Sequence, residues 1–183
     1  MLAPFDVTDL CLETDRLYLR PWQISDLEDL FEYASVDGVG ECAGWKHHES
    51  IDESRSILNL FIRGKKTFAI VQKGDGKVIG SLGMEELSVD PVKGERYGRE
   101  IGYVLGKPYW GQGLATEAVQ KVISYCFDIL SYDYLTVCHF LGNNRSRRVI
   151  EKSGFSYVQN IRYETQNGIV QESKLYVLEN PKK

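Results

Sequence analysis

The sequence predicts an α/β fold in which four main helices pack against a mixed central sheet of about seven strands. Short runs of β-branched and aromatic residues alternate with amphipathic segments in the order β-α-α-β-β-β-α-β-α-β-β. The three consecutive strands in this order exclude a regular doubly wound repeat. The 183 residues are 43% hydrophobic and 26% charged, which is typical of one globular domain, here residues 1–183.

The first half of the chain is predicted to contain a strand, two helices and a β-hairpin. Arg16–Trp22 is the first strand. Capping boxes that start at Ser25 and Ser50 predict the two helix N-termini, because each Ser is followed three residues later by Glu and then by apolar residues at helical spacing. Lys66–Gln72 and Lys77–Glu86 flank a Gly-Asp-Gly turn and are predicted to pair as a hairpin.

The second half alternates strands with two further helices and ends in another hairpin. Asn143 suits a helix N-cap, and Gly154 suits a helix stop. The predicted elements are strand Arg99–Gly106, a helix with the apolar stripe Leu114, Ala118, Val122, Cys126 and Leu130, strand Tyr134–His139, helix Asn143–Ser153, strand Phe155–Tyr163 and strand Ile169–Leu178.

The most informative segment is residues 100–118, E-I-G-Y-V-L-G-K-P-Y-W-G-Q-G-L-A-T-E-A. A strand passes through a turn directly into a helix, which exposes backbone N–H groups where the helix dipole adds positive charge. Gly111 and Gly113 let a ligand approach the main chain closely, so the turn suits a phosphorylated anion. The nucleotide P-loop pattern is absent, and G-Q-G-L-A-T lacks the third glycine of the dinucleotide-binding fingerprint.

Two strings together resemble the RimJ/RimL-like branch of the GNAT acetyltransferase superfamily. Residues 109–118, Y-W-G-Q-G-L-A-T-E-A, resemble its pyrophosphate-binding turn, and residues 143–155, N-N-R-S-R-R-V-I-E-K-S-G-F, resemble its N-x-x-S-x-R-V-[LI]-E-K-x-G-F pattern. The opening E-T-D-R-L at residues 13–17 is similar to the E-T-x-R-L with which the branch usually begins. The resemblance therefore spans nearly the whole chain.

This resemblance implies a GNAT fold with acetyl-CoA as cosubstrate. In the family, strands four and five splay apart, and the pantetheine arm lies in the groove between them, where it pairs with free backbone groups. The residues that the resemblance assigns to acetyl-CoA binding are Tyr103, Val104, Leu105, Trp110, Gly111, Gln112, Gly113, Leu114, Ala115, Thr116, Asn143, Ser146 and Arg148.

Direct attack of an amine on the acetyl thioester requires a base and an oxyanion donor. Glu100, at the start of strand four, is the predicted catalytic base, because an acidic residue is common there in the branch. Glu85 and Glu86 are alternative bases, and the alternative for Glu100 is a surface residue that pairs with Arg99 or with a Lys on a neighbouring strand. A backbone N–H near Val104 or Leu105 is expected to stabilise the oxyanion.

The departing thiolate needs a proton or a hydrogen bond. Many superfamily members carry a Tyr in the last helix, but this chain has Ile150 there, which cannot donate a proton. Ser146 is the remaining hydroxyl of the motif and is the second predicted catalytic residue. It would protonate the thiolate, orient it or orient a water, or it would serve only as a hydrogen-bond partner of the helix or the cosubstrate.

Trp45 and His48, in the loop before the second helix, are predicted to line the acceptor site, since an aromatic wall and an imidazole suit an acceptor site. The alternative is a surface loop with one packed Trp. The expected acceptor is a small-molecule amine or a protein N-terminus. An exposed last strand would also allow a homodimer.

Charge and composition argue against several other classes. The net charge of -4 does not favour nucleic-acid binding. The sequence has no apolar run long enough to span a membrane and no apparent signal peptide, and its four cysteines lack metal-ligand spacing, so we expect a cytoplasmic protein without membrane attachment or a metal. Two alternative functions are a non-catalytic acyl-CoA sensor, favoured by the missing Tyr, and a small dinucleotide-binding oxidoreductase.

Overall fold

The computed structural model describes residues 5–92 and 94–183. Within that part of the chain it contains four α-helices and eight strands, so the short β1 adds to the predicted set. The helices are α1 (Leu27–Ala34), α2 (Ile51–Gly64), α3 (Leu114–Asp128) and α4 (Asn144–Lys152). The strands are β1 (Leu12–Glu13), β2 (Leu17–Pro21), β3 (Thr67–Gln72), β4 (Val78–Glu85), β5 (Gly98–Leu105), β6 (Tyr134–Phe140), β7 (Ser156–Glu164) and β8 (Val170–Glu179).

The strands form one mixed sheet in the order β1-β2-β3-β4-β5-β6-β8-β7. Only β5 and β6 pair in parallel among these described strands, and this confirms the predicted mixed sheet. The prediction that the last strand is exposed is wrong, because β8 lies between β6 and β7. Its Ser173 and Leu175 are fully buried, whereas β7 is mostly exposed and forms the edge.

Helices cover both faces of the sheet. On one face α1 and α2 enclose a core that includes Leu30, Tyr33 and Leu58. On the other face, α3 and α4 contribute residues such as Val122 and Ile150 to a larger core. Burial of these apolar faces fixes which side of each strand turns toward which helix pair. None of the described helices is both long and apolar enough to cross a bilayer.

The side-chain caps predicted at Ser50 and Asn143 are confirmed, but the capping box at Ser50 is incomplete, because the Glu53 carboxylate accepts from the Glu49 N–H and not from the Ser50 N–H. The Ser50 hydroxyl accepts a hydrogen bond from the Glu53 N–H at 3.2 Å, and the Asn143 side chain accepts one from the Ser146 N–H at 3.2 Å. These caps satisfy N–H groups that have no partner within the helix. They fix the start of α2 and, near the site, the start of α4.

The capping box predicted at Ser25 is wrong. A 3₁₀ turn over Ile24–Asp26 precedes α1, and the Asp26 carboxylate accepts a hydrogen bond from the Gln23 N–H at 2.8 Å. Arg20 donates two hydrogen bonds to the same carboxylate, both at 2.8 Å. The Asp26 carboxylate, held by this charge-assisted pair, therefore accepts the N–H at the start of the turn, and Ser25 does not act as the cap.

A gap opens in the middle of the sheet. The parallel pairing of β5 with β6 is confined to Gly98, Arg99 and Glu100 on β5, although β5 continues to Leu105. Beyond Glu100 the two strands diverge, as expected from the resemblance. The second half of β5 therefore has one side without a strand partner.

Candidate active site

Two cavities meet at the gap between β5 and β6. One cavity, of about 210 Å³, lies against the N-termini of α3 and α4, and we call it the turn cavity. The other, of about 820 Å³, contains Glu100, and we call it the acceptor cavity. Tyr103, Val104 and Ser146 line both cavities, so a molecule in one can contact a molecule in the other at this point.

The turn cavity is built on backbone at the start of α3. Gly111 and Gly113 have φ angles of 76° and 79°, a left-handed conformation that glycine adopts most readily. α3 begins at Leu114, so its first N–H groups have no partner within the helix. The predicted residues that line this cavity are Tyr103, Val104, Leu105, Trp110, Gly111, Gly113, Leu114, Ala115, Thr116, Asn143, Ser146 and Arg148.

Gln112 is placed differently from its neighbours. It does not line the turn cavity, and its side-chain amide donates a hydrogen bond to the Pro108 carbonyl at 2.8 Å. Its own carbonyl accepts a hydrogen bond from Arg16 at 3.0 Å. The side chain of Gln112 therefore braces the turn instead of facing the cavity.

Trp110 fixes one wall of the turn cavity. Its indole N–H donates to the Leu105 carbonyl at 2.7 Å, which uses a polar group on the unpaired side of β5. The guanidinium of Arg145 lies 3.8 Å from the centre of the indole ring, within the range of a cation–π interaction. Trp110 thus links the end of β5 to the cationic start of α4.

The alternation of β5 decides which backbone groups face the gap. The Asp133 N–H donates to the Tyr97 carbonyl on the β6 side, whereas the Gly106 N–H donates to the Ile79 carbonyl on the β4 side. Because successive residues of a strand point their peptide groups to opposite sides, Leu105 directs its N–H toward the gap and Val104 directs its N–H toward β4. Of the two predicted oxyanion donors, this geometry favours Leu105.

Glu100 lies in the acceptor cavity with only 7% of its surface exposed. The Ser88 hydroxyl and N–H both donate to one carboxylate oxygen, at 2.5 and 3.2 Å. The thiol of Cys138 lies 3.8 Å from the other oxygen. Within the residues described, Glu100 has no ion-pair partner, so a carboxylate without a neutralising cation faces the cavity.

The two alternative bases line the same cavity but are engaged by cations. Glu85 pairs with Lys66, and Glu86 pairs with Arg99. Both carboxylates are well exposed, in contrast to Glu100. A salt-bridged, solvated carboxylate is a weaker candidate for a base, because its cation and water compete for the lone pairs that would accept a proton.

Tyr103 and Ser146 form a hydroxyl pair at the junction of the cavities. The phenol oxygen lies 2.8 Å from the Ser146 hydroxyl and 3.2 Å from the Ser146 carbonyl oxygen. Burial raises the pKa of Tyr103, so the phenol stays protonated and acts as a hydrogen-bond donor. Sequence reasoning identified both residues but not their contact.

Trp45 and His48 both lie in the wall of the acceptor cavity, and their rings are 5.2 Å apart. His48 is buried, and its Nδ1 lies 2.7 Å from the Ser54 hydroxyl. Burial lowers the pKa of His48, which favours the neutral imidazole. Trp45 is the more accessible of the two, and Tyr163 adds an aromatic side chain to the wall.

Sequence reasoning missed two residues around the predicted base, Ser88 and Cys138. Ser88 lies in the irregular segment after β4, where no periodic pattern assigns a direction to a side chain. Cys138 lies on β6 two residues after Thr136, and the alternation of the strand turns its thiol toward Glu100. The alternation along β6 was the one available signal for this contact.

Comparisons with known proteins concern the family and the fold of the chain. The family profile described as "Acetyltransferase (GNAT) domain" matches residues 16–156. The N-acetyltransferase YoaA of Bacillus subtilis (strain 168), itself uncharacterised, is 31% identical over 179 residues, which cover 93% of this chain and 97% of that protein.

Solved structures show the same fold. A GNAT-family acetyltransferase from Bacillus anthracis has a TM-score of 0.81 at 21% identity, with 93% of this chain and 99% of that chain covered. The ribosomal-protein-S5-alanine acetyltransferase from Vibrio fischeri has a TM-score of 0.73 at 19% identity, with 94% and 98% covered. At these identities the likeness concerns the fold alone.

Proposed function

The chain belongs to the GNAT acetyltransferase family, and on this premise we propose that it transfers the acetyl group of acetyl-CoA to a primary amine, either a protein N-terminus or a small-molecule amine. The observation that supports this most is the meeting of the two cavities at Tyr103, Val104 and Ser146. Acetyl-CoA would occupy the turn cavity, and the amine would enter from the acceptor cavity. The reaction would then be a direct attack in a ternary complex.

The turn cavity fits the diphosphate of CoA. Its helix N-terminus presents unpaired N–H groups, and three basic residues of α4, Arg145, Arg148 and Lys152, line the same cavity. They are spaced by three and four residues and so share one helix face. Arg147 points elsewhere and forms an ion pair with Glu151 at 2.7 Å.

In the reaction that we propose, Glu100 accepts a proton from the attacking amine, directly or through a water. The Leu105 N–H stabilises the oxyanion, because β5 turns it toward the gap. Ser146, held by the Tyr103 phenol, donates a hydrogen bond to the departing thiolate. The Tyr103 phenol is too weak an acid to give up its proton, so its part is to orient Ser146.

Direct transfer is favoured over an acetylated enzyme. Cys138 is the nucleophile nearest to Glu100, but burial raises the pKa of its thiol, and the adjacent Glu100 carboxylate raises it further. A thiol kept protonated is a poor nucleophile. The amine itself is therefore the proposed attacking group.

Calorimetric titration with acetyl-CoA tests the cosubstrate. We expect binding by the wild type, about tenfold weaker binding by Arg148→Ala because a charged phosphate contact is lost, and an unchanged affinity for Arg147→Ala. Absence of binding by the folded wild type would refute the proposal. Equal affinity of the two variants would refute the assignment of Arg148.

An amine panel tests the transfer. Peptides with free N-termini, polyamines and amino acids are incubated with acetyl-CoA, and mass spectrometry detects the acetylated product while a thiol reagent follows CoA release. The proposal requires both signals with at least one amine. Tight acetyl-CoA binding without either signal would instead support the non-catalytic sensor.

A further inference from the structure

Two residues of the E-T-D-R-L motif at residues 13–17 contact the glycine turn and the first turn of α3. The Thr14 hydroxyl donates to the Glu117 carboxylate at 2.6 Å, and the Arg16 N–H donates to the same oxygen at 2.9 Å. The Arg16 guanidinium donates to the other oxygen at 2.7 Å. Two residues from the turn between β1 and β2 thus fix one carboxylate in the first turn of α3.

This carboxylate is poorly placed for anion binding. The N-terminus of α3 has positive partial charge and lines the turn cavity, but Glu117 brings a full negative charge into its first turn. Burial raises the pKa of Glu117, but hydrogen bonds from Thr14 and Arg16 outweigh this, and its pKa is lowered. The group therefore stays ionised and would repel a diphosphate unless a cation neutralised it.

Arg16 provides that cation and makes a second contact. Its Nη1 donates to the Gln112 carbonyl at 3.0 Å. In a trans peptide the carbonyl of Gln112 and the N–H of Gly113 point in opposite directions, so a carbonyl held at Arg16 turns the Gly113 N–H away from Arg16. Gly113 lines the turn cavity.

We propose that Thr14 and Arg16 are positioning residues of the acetyl-CoA site, which neutralise Glu117 and orient the Gln112–Gly113 peptide toward the diphosphate. This inference rests on the proposed function, because it assumes that CoA binds at this turn. Neither residue lines the turn cavity, so both act through Glu117 and the main chain.

The test measures the dissociation constant of CoA by calorimetry for the wild type, Arg16→Ala, Glu117→Gln and the double variant. Arg16→Ala should bind CoA about tenfold more weakly, since it exposes the Glu117 charge and frees the Gln112 carbonyl. Glu117→Gln should bind at least as tightly as the wild type. The double variant should recover a large part of the lost affinity, because the repelling charge is gone.

A purely structural role of the Arg16–Glu117 ion pair predicts a different pattern of CoA affinities. If Arg16 and Glu117 only join the turn between β1 and β2 to α3, each single variant should lower both the melting temperature and the affinity, and the double variant should bind no better than Arg16→Ala. Arg16→Lys keeps the charge without the guanidinium fork and should lie between the wild type and Arg16→Ala. Glu13→Gln is the matched control, because it breaks the neighbouring Glu13–Lys73 ion pair, in which no residue of α3 takes part.

The outcomes separate the two proposals. A folded wild type that does not bind CoA refutes the proposed function. A wild type that binds CoA, together with an Arg16→Ala variant that binds equally well, overturns the positioning role. A double variant that binds CoA no more tightly than Arg16→Ala also overturns it, because loss of the Glu117 charge would then not restore the affinity.

Discussion

Replacement of Glu100 by Gln is the most direct test of the chemistry. The carboxamide oxygen can keep the two hydrogen bonds from Ser88, and the amide group can take the place of the oxygen near Cys138. We therefore expect little change in the free energy of unfolding and an unchanged affinity for CoA. Loss of a positioned general base lowers turnover by about 10²- to 10⁴-fold, which corresponds to about 3–5 kcal/mol of transition-state stabilisation.

The assay is the rate of thiol release at saturating acetyl-CoA and amine, with the acetylated product confirmed by mass spectrometry. Glu85→Gln and Glu86→Gln are matched controls in the same cavity, and both should stay within about threefold of the wild type because their carboxylates are engaged by Lys66 and Arg99. Wild-type turnover by Glu100→Gln would remove Glu100 from the mechanism. A large loss in either control instead would transfer the role to that residue.

Two further predictions concern the hydroxyl pair and the loop beside the cavities. Tyr103→Phe and Ser146→Ala should each lower turnover about tenfold, and the double variant should lose little more, because the residues act as one unit; additive losses in kcat would show that they act separately. Burial raises the pKa of Glu41, but hydrogen bonds from the His47 N–H and imidazole outweigh this and lower the pKa to about 2. The ionised Glu41 therefore stabilises the folded state above its ordinary pKa of 4.5, and this contribution is lost as the pH falls toward 2. Thermal melts at pH 5 and pH 3 test this. At pH 5 the Glu41→Gln variant should be less stable than the wild type, by less than about 1 kcal/mol because the site is partly exposed, and at pH 3 the difference in stability should be smaller. The same difference at both pH values would contradict this prediction.

The sequence predicted those features that follow from local rules. The glycine turn before α3, the Asn143 cap of α4 and the stop at Gly154, where φ is 92°, depend on residues close together in the chain. The residues near the turn that were predicted to bind acetyl-CoA were selected from the same local pattern, and all of them except Gln112 line the turn cavity. The capping box predicted at Ser25 is wrong because Arg20, a residue of β2 outside the capping sequence, holds the Asp26 carboxylate.

Features that depend on distant pairing were not predictable in this way. The Tyr103–Ser146 contact joins residues 43 positions apart, and the Thr14–Glu117 contact joins residues 103 positions apart. The place of β8 inside the sheet likewise depends on which strand of the last hairpin has the apolar core face. Val170–Glu179 includes the buried Leu175 and Tyr176, and this explains why β7 is left at the edge.

The alternation of side chains along β5 explains why some of its residues face the acceptor cavity and others face α4. Glu100, Gly102 and Val104 turn their side-chain positions toward the α1–α2 face, whereas Tyr103 turns its phenol to Ser146 on α4. At Gly102, a Cβ would meet no atom within 4 Å, so there is open space at this position, two residues from Glu100 on the same face of β5. A slip of one residue in the pairing of β5 would exchange these faces, and the proposed base would then lie on the side of the turn cavity instead of the acceptor cavity. The register set by β4, in which Glu85 pairs with Glu100 and Gly80 pairs with Leu105, is therefore as necessary to the proposed reaction as the side chains themselves.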